Sequence, residues 1–214
     1  LDIPVDQAMY AGYFVVADVS FDTLPLANDE MHCFCGVDGY LMIVPIPGGS
    51  YRVIVSFPGE DPQSGFDAAF IERIIREMTP ITANVQHLHW ITHSAFGHRI
   101  ASRARVGRVF FAGDAWHQFS PIGGTNMNLG IEDAAVLATL LASMPEDPAT
   151  AMRLYEKARQ PRAARVQNAA RSNATIYHLG LGAIARDFFL RRTGGNRLLE
   201  RYDWLYDWKP AAAQ

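Results

Sequence analysis

The sequence predicts an α+β fold: an antiparallel-rich sheet in the first half, a short strand and loop in the middle, and helices at the end. Three observations carry this expectation. β-Branched and aromatic runs of strand length crowd the first 57 residues, at Tyr13–Phe21, Met31–Val37, Tyr40–Ile46 and Tyr51–Phe57. Turn-forming Asp38-Gly39 and Pro47-Gly48-Gly49-Ser50 separate the last three, as hairpins of a meander require. After Asn126 the apolar residues change to helical spacing.

Taken in order, the first helix is predicted where Phe66, Phe70, Ile71, Ile74, Ile75 and Met78 recur at steps of three and four. Ser64-x-x-Asp67 supplies an N-terminal cap and Thr79-Pro80 a stop. The alternating run Val85–Phe96 reads as another strand, and "RVFFA" (108–112) as a further short one. Met127, Ile131, Ala134, Ala138 and Leu141 define the expected inward face of the next helix. Pro145 and Pro148 punctuate, and helices are expected over Ala149–Arg171 and Ile176–Arg191, before an aromatic tail. The expected division is a sheet domain over 1–100 and a second domain over 101–214.

Composition narrows the function. The chain is 49% hydrophobic and 19% charged, with a formal net charge of -3 and no basic stripe, so nucleic acid is not the expected partner. No run approaches the roughly 18 apolar residues of a membrane span. The opening "LDIPVDQAMYAG" lacks the order of a signal peptide and reads as the continuation of a longer chain. Cys33 and Cys35 are expected to be reduced, buried hydrophobes in a cytoplasmic protein.

The chemistry concentrates in "GRVFFAGDAWHQFSPIGGTNMNLGIEDAAVLATLLA" (107–142). A strand delivers Gly113-Asp114 at its end, where ligands gather in sheet proteins. Gly113 lets a backbone come close while the Asp114 carboxylate accepts hydrogen bonds from hydroxyls, as on a sugar or ribityl chain. Pro121 stiffens the following loop, and Gly123 and Gly124 permit positive φ. The helix opening at Asn126, Met127 and Asn128 presents unpaired N–H groups and the positive end of its dipole, a ready anion site. The alternative at this point is a structural turn capped by Asn126.

This stretch resembles the second flavin-binding motif of class A flavoprotein monooxygenases, the para-hydroxybenzoate hydroxylase-like aromatic hydroxylases. Tyr155-Glu-x-x-Arg-x-Pro161 resembles the motif that follows it there, and the strand-rich segment matches the position of that family's substrate-domain sheet. The resemblance implies an FAD-dependent oxidoreductase that uses NAD(P)H and O2 to hydroxylate an aromatic small molecule. It implies that Asp114 holds the ribityl chain and that Pro121 lies against the isoalloxazine ring above Gly123 and Gly124. The amides near Met127 and Asn128 would meet the ring's pyrimidine edge. Residues 1–100 would be the substrate-binding sheet domain and 101–214 the C-terminal part of an FAD-binding domain.

The sequence departs from that family's pattern in places. Trp116 stands where a small Ala is usual, Ser120 where Pro is common, and Asn126 where Gly is usual, so that Asn126 is suited to a left-handed conformation if one is needed. A G-x-G-x-x-G fingerprint after an N-terminal strand is missing from these 214 residues, which implies a missing N-terminal FAD-binding segment. The open alternatives are a non-catalytic remnant or binding module of the same fold, or another flavoprotein such as a halogenase, epoxidase or reductase.

Other candidates are weaker. His87, His89 and His93 lack acidic or Cys partners in sequence, which favours pocket lining over metal binding. A structural role is expected for His117 and a solvated face for Arg99–Arg108. No catalytic base is assigned.

Overall fold

In the computed structural model, residues 2–9, 12–36, 39–57, 65–95, 97–107, 109–119, 125–177 and 182–209 are described. They form two compact units, one of residues 1–9, 97–174 and 187–214, the other of residues 10–96 and 175–186. The chain therefore passes between units several times, where the sequence suggested one boundary near residue 100.

The unit around residues 10–96 is an antiparallel sheet of β2 (Tyr13–Thr23), β3 (His32–Cys35), β4 (Tyr40–Ile46), β5 (Ser50–Phe57) and β6 (Asn84–Ser94), in the order β3-β4-β5-β2-β6. β3, β4 and β5 are the predicted meander. Alternation decides the faces. Val15, Ala17 and Val19 of β2, Leu41 and Ile43 of β4, and Val53 and Val55 of β5 are all fully buried. Helix α1 (Ala68–Met78) packs Phe70, Ile71, Ile74 and Ile75 into the same core. Each such side chain contributes roughly 1.5–3 kcal/mol through burial.

The cap of α1 is Asp67, whose carboxylate accepts the Phe70 N–H at 2.8 Å; Ser64 lies outside the described residues. Thr79 ends the helix by donating its hydroxyl to the Ile75 carbonyl at 2.6 Å, so the predicted stop is where it was expected.

The cysteines correct an expectation. Phe34 turns towards the core opposite Leu41, which places Cys33 and Cys35 on the other face of β3, an edge strand. Cys33 is exposed and Cys35 half-buried. An edge strand has a neighbour on one side only, so apolar patterning there does not guarantee burial.

The other unit carries the loop of interest. β1 (Val5–Met9) and β10 (His117–Gln118) flank β7 (Gly97–Ala101), all antiparallel. The predicted strand 108–112 reduces to β9 (Val109–Phe110), paired only with β8 (Arg105–Val106). The predicted strand 85–96 ends at Ser94, and Phe96 lies outside the described residues.

Four helices follow, with α2 at Asn126–Ser143, α3 at Pro148–Tyr177, α4 at Ala183–Thr193 and α5 at Gly195–Glu200; a short α6 (Asp203–Tyr206) closes the order. Pro148 occupies the first position of α3, where its missing N–H costs nothing. α3 runs past the predicted end at Arg171, through an interior Pro161.

The predicted inward face of α2 is wrong. Met127 and Ile131 are 72% and 60% exposed, and Ala134, Ala138 and Leu141 are exposed with them. The buried side is Leu129, Glu132 and Asp133, continued by the half-buried Val136, Leu137 and Leu140. This helix is apolar nearly all round, so spacing alone could not choose a face. Two acids occupy the buried one because they meet cations from α3.

Among the described residues no helix is long and apolar enough to cross a membrane.

Candidate functional site

The loop is built from the backbone outward. Phe111 donates its N–H to the Ala104 carbonyl at 2.8 Å, fixing the end of the β8–β9 ribbon. Gly113 then takes φ +57° and opens a single 3₁₀ turn over Gly113–Ala115. A Cβ on Gly113 would stand 3.5 Å from the Gly130 Cα, and one on Gly130 would stand 3.4 Å from the Gly113 Cα. Two glycines thus let the turn lie directly on the second turn of α2. Asp114 and Ala115 remain exposed at its tip.

Trp116 turns inward. Its ring is 1% exposed, its indole N–H donates to the Ala101 carbonyl at 3.1 Å, and it packs against Tyr155. The bulk that stands in place of a small residue is therefore absorbed by the core.

Asn126 does something other than expected. It is the first residue of α2 and is not at positive φ. Its amide clasps the far side of the loop, donating to the Phe119 carbonyl at 2.9 Å and accepting the Phe119 N–H at 3.3 Å. The residue before it, Thr125, is the N-cap and makes no side-chain capping bond. The first N–H groups of α2, next to exposed Met127 and Asn128, thus receive no side-chain cap from Thr125. Pro121, Gly123 and Gly124 lie outside the described residues.

Beneath the loop is a buried ionic cluster that sequence reasoning missed. Asp133, fully buried, accepts the Gly113 N–H at 3.0 Å, His117 Nε2 at 2.7 Å and Arg159 Nε at 2.6 Å. Arg159 also donates to Glu132 at 2.8 Å, and Arg162 forks onto both Glu132 oxygens at 3.0 and 2.7 Å. Burial pushes the Asp133 pKa up, yet the hydrogen bonds from His117, Arg159 and Gly113 outweigh it and hold the carboxyl below 3.8. Two carboxylates meet two guanidiniums, as a charge-balanced buried cluster requires. His117 has the structural role expected of it, with its ring stacked on Phe119.

The Tyr155–Pro161 motif now has a physical meaning. Tyr155 donates its hydroxyl to the Phe111 carbonyl at 3.2 Å. Glu156 accepts the Ala104 N–H at 2.9 Å, and Arg159 binds both acids of α2. One face of α3 therefore grips the strand before the loop, the loop and the helix after it. Burial and the Asp133 charge raise the Tyr155 pKa above the ordinary tyrosine range, so its hydroxyl stays a donor. Arg159 and Arg162, three residues apart on α3, and the Glu132-Asp133 doublet in an apolar helix were the available signals.

Of the predicted residues, the structure packs Gly113, which precedes the exposed Asp114, against Gly130 of α2, the helix that opens with Asn126, Met127 and Asn128. His87 and His89 are exposed on β6, where Ser20 lies 2.8 Å from His89, and His93 packs on Phe66. No group of three metal-binding side chains forms among the described residues. Arg99 and Arg103 are exposed, whereas Arg105 lies over Phe110; Arg108 lies outside the described residues.

The chain is similar to known proteins. The family model of the FAD binding domain matches residues 1–170. Pentachlorophenol 4-monooxygenase of Sphingobium chlorophenolicum is 32% identical over 135 residues, covering 58% of this chain and 23% of its own. A 3-amino-4-hydroxybenzoate 2-monooxygenase of Streptomyces platensis is 35% identical over 220 residues, covering 96% of this chain and 54% of its own. Klebsiella pneumoniae HpxO, solved with FAD and uric acid, superposes with a TM-score of 0.72 at 22% identity, over 91% of this chain and 53% of its own. The chain spans about half the length, or less, of these relatives.

Proposed function

Because the chain belongs to the FAD-binding domain family, among the class A flavoprotein monooxygenases of the aromatic-hydroxylase type, we propose that it is the flavin-ring and substrate half of an FAD-dependent aromatic hydroxylase. The observation that carries this reading is the exposed Asp114 carboxylate on a glycine-tight turn packed on α2, whose N-cap Thr125 makes no side-chain capping bond. A carboxylate and the positive end of a helix in one strand–loop–helix unit fit a ligand that is polyhydroxylated at one end and anionic at the other, as a flavin is.

In this reading Asp114 accepts hydrogen bonds from the ribityl hydroxyls. The Met127 and Asn128 amides hold negative charge at the ring's pyrimidine edge through the positive end of α2. Pro121, Gly123 and Gly124 shape the loop between them. When bound, FAD supplies the redox chemistry, taking a hydride from NAD(P)H and activating O2 for oxygen transfer to the ring. The chain's own part is orientation: Asp133, His117 and Arg159 keep the turn seated on α2, so that the acceptor and the amides stay in register.

Residues 10–96 are assigned to substrate binding. Their sheet face opposite α1 offers Phe14, Tyr40 and Ser56, rings and a hydroxyl suited to a phenol. The relatives named for a chlorinated phenol and an aminohydroxybenzoate support a hydroxy-arene substrate. The exposed apolar face of α2, from Met127 to Leu141, is assigned to contact with the remaining, G-x-G-x-x-G-bearing part of the FAD-binding fold. A helix apolar all round is one that is covered on both sides. The reduced thiols of Cys33 and Cys35 support a cytoplasmic setting.

The test uses the complete gene product, with and without Asp114→Ala. The parent is expected to purify yellow and to oxidise NAD(P)H faster when phenols are added. Asp114→Ala should bind FAD at least about tenfold more weakly, about 1.4 kcal/mol, for the loss of charge-assisted hydrogen bonds. A colourless parent that takes up no FAD would overturn the reading.

A further inference from the structure

Cys33 and Cys35 play no part in the flavin reading, and their geometry is specific. Strand alternation sends Phe34 to the core and both cysteines to the opposite face. Their sulfurs lie 3.7 Å apart and are not joined in a disulfide. A disulfide requires about 2.05 Å between sulfurs and a Cβ separation that alternate positions of a strand do not favour. Two sulfurs bound to one pyramidal centre at bond angles of about 95–100°, each at about 2.3 Å, stand about 3.4–3.5 Å apart. The observed S–H···S contact is within a few tenths of an ångström of that spacing, so one atom can reach both sulfurs after a small side-chain shift.

The surroundings select the atom. β3 is the outermost strand of its sheet, so the pair can be approached from the side. The Arg186 guanidinium, itself 6% exposed, donates to the Cys35 carbonyl at 3.4 Å and ties down the end of β3. The S–H···S contact with Cys35 and burial push the Cys33 thiol well up, and the Arg186 charge only partly opposes them, so the pair reacts as thiols. Among the described residues no third Cys, His, Asp or Glu joins the pair. A centre that needs only two sulfurs from the protein fits.

We propose that Cys33 and Cys35 form a two-thiol binding site for monosubstituted trivalent arsenicals, whose third bond is already made to carbon. With phenylarsine oxide, two As–S bonds form and the arsenic–oxygen bond breaks. The oxygen leaves as water with the two thiol protons, and no electrons are transferred.

The test is intact mass of the reduced chain after treatment with phenylarsine oxide and a challenge with excess monothiol, followed, once the monothiol has been removed, by maleimide labelling. The folded chain should carry one phenylarsenic group and take up no maleimide. Cys33→Ser and Cys35→Ser should each retain the group about tenfold less or worse, because the second sulfur then acts at no effective concentration. The chain unfolded in urea should also release it more readily, since the strand no longer holds the spacing. Retention by either single variant, equal retention by the unfolded chain, or no adduct on the folded chain would each overturn the site. None of these outcomes depends on FAD.

Discussion

Asp133→Ala destabilises the protein by about 3–5 kcal/mol, the range for removing one partner of a buried ion pair. The substitution strips the acceptor from three groups at once: the Arg159 guanidinium, His117 Nε2 and the Gly113 N–H. Arg159 is 2% exposed and cannot turn to water. Asp133→Asn keeps one oxygen and costs less, but it leaves Arg159 paired with Glu132 alone, which Arg162 shares. Arg159→Leu alone is also damaging, because it leaves the buried Asp133 carboxylate without its cation. The double variant should recover part of the sum, with a coupling of about 0.5–3 kcal/mol. Urea unfolding of the four proteins measures this. An alanine variant within about 0.5 kcal/mol of the parent, or strict additivity, would show that the cluster does not hold the loop.

The same group sets an acid limit. Its folded pKa is depressed below 3.8, so its contribution to stability is complete above that unfolded value. The contribution is lost as the pH falls from there through the folded value. The parent should therefore lose stability on acidification in this window, and Asp133→Asn should have a flatter profile over it.

The sheet was legible because its information is local. Tyr40–Ile46 was read at its observed bounds, and Thr79 and Pro148 act where helix-terminus chemistry placed them, while Asp67 of the Ser64-x-x-Asp67 pattern is itself the N-cap. The loop residues Gly113 and Asp114 were legible as a motif for the same reason. What sequence could not give depends on distant partners. The buried face of α2 is decided by cations 26 to 30 residues away, which turn Glu132 and Asp133 inward and leave Ile131 outside. Asn126 looked like a cap or a left-handed substitute for glycine, but its amide is used up on Phe119 across the loop. Strand length at 108–112 was overestimated because an apolar run says nothing about which neighbour is present to pair with it.

Two glycines that read alike in sequence should behave differently. Gly39 and Gly48 both sit in predicted hairpin turns, and both have positive φ, +145° and +95°. A Cβ on Gly48 meets nothing within 4 Å, so Gly48→Ala carries only the backbone cost, about 1 kcal/mol. A Cβ on Gly39 would lie 2.1 Å from the Ser56 carbonyl oxygen. That oxygen is backbone of β5, directly across from Tyr40 in the ladder, and cannot move without disturbing the β4–β5 pairing. Gly39→Ala therefore adds overpacking to strain and should cost on the order of 3 kcal/mol. Amide exchange in peptides covering β4 and β5 separates the two, with protection falling steeply for Gly39→Ala and slightly for Gly48→Ala. Equal loss in the two variants would mean that torsion alone governs both turns and that the close approach of residue 39 to β5 is relieved at little cost. A steep loss at Gly39 alone would show that the meander is closed by contact between backbones, a constraint that no turn propensity encodes.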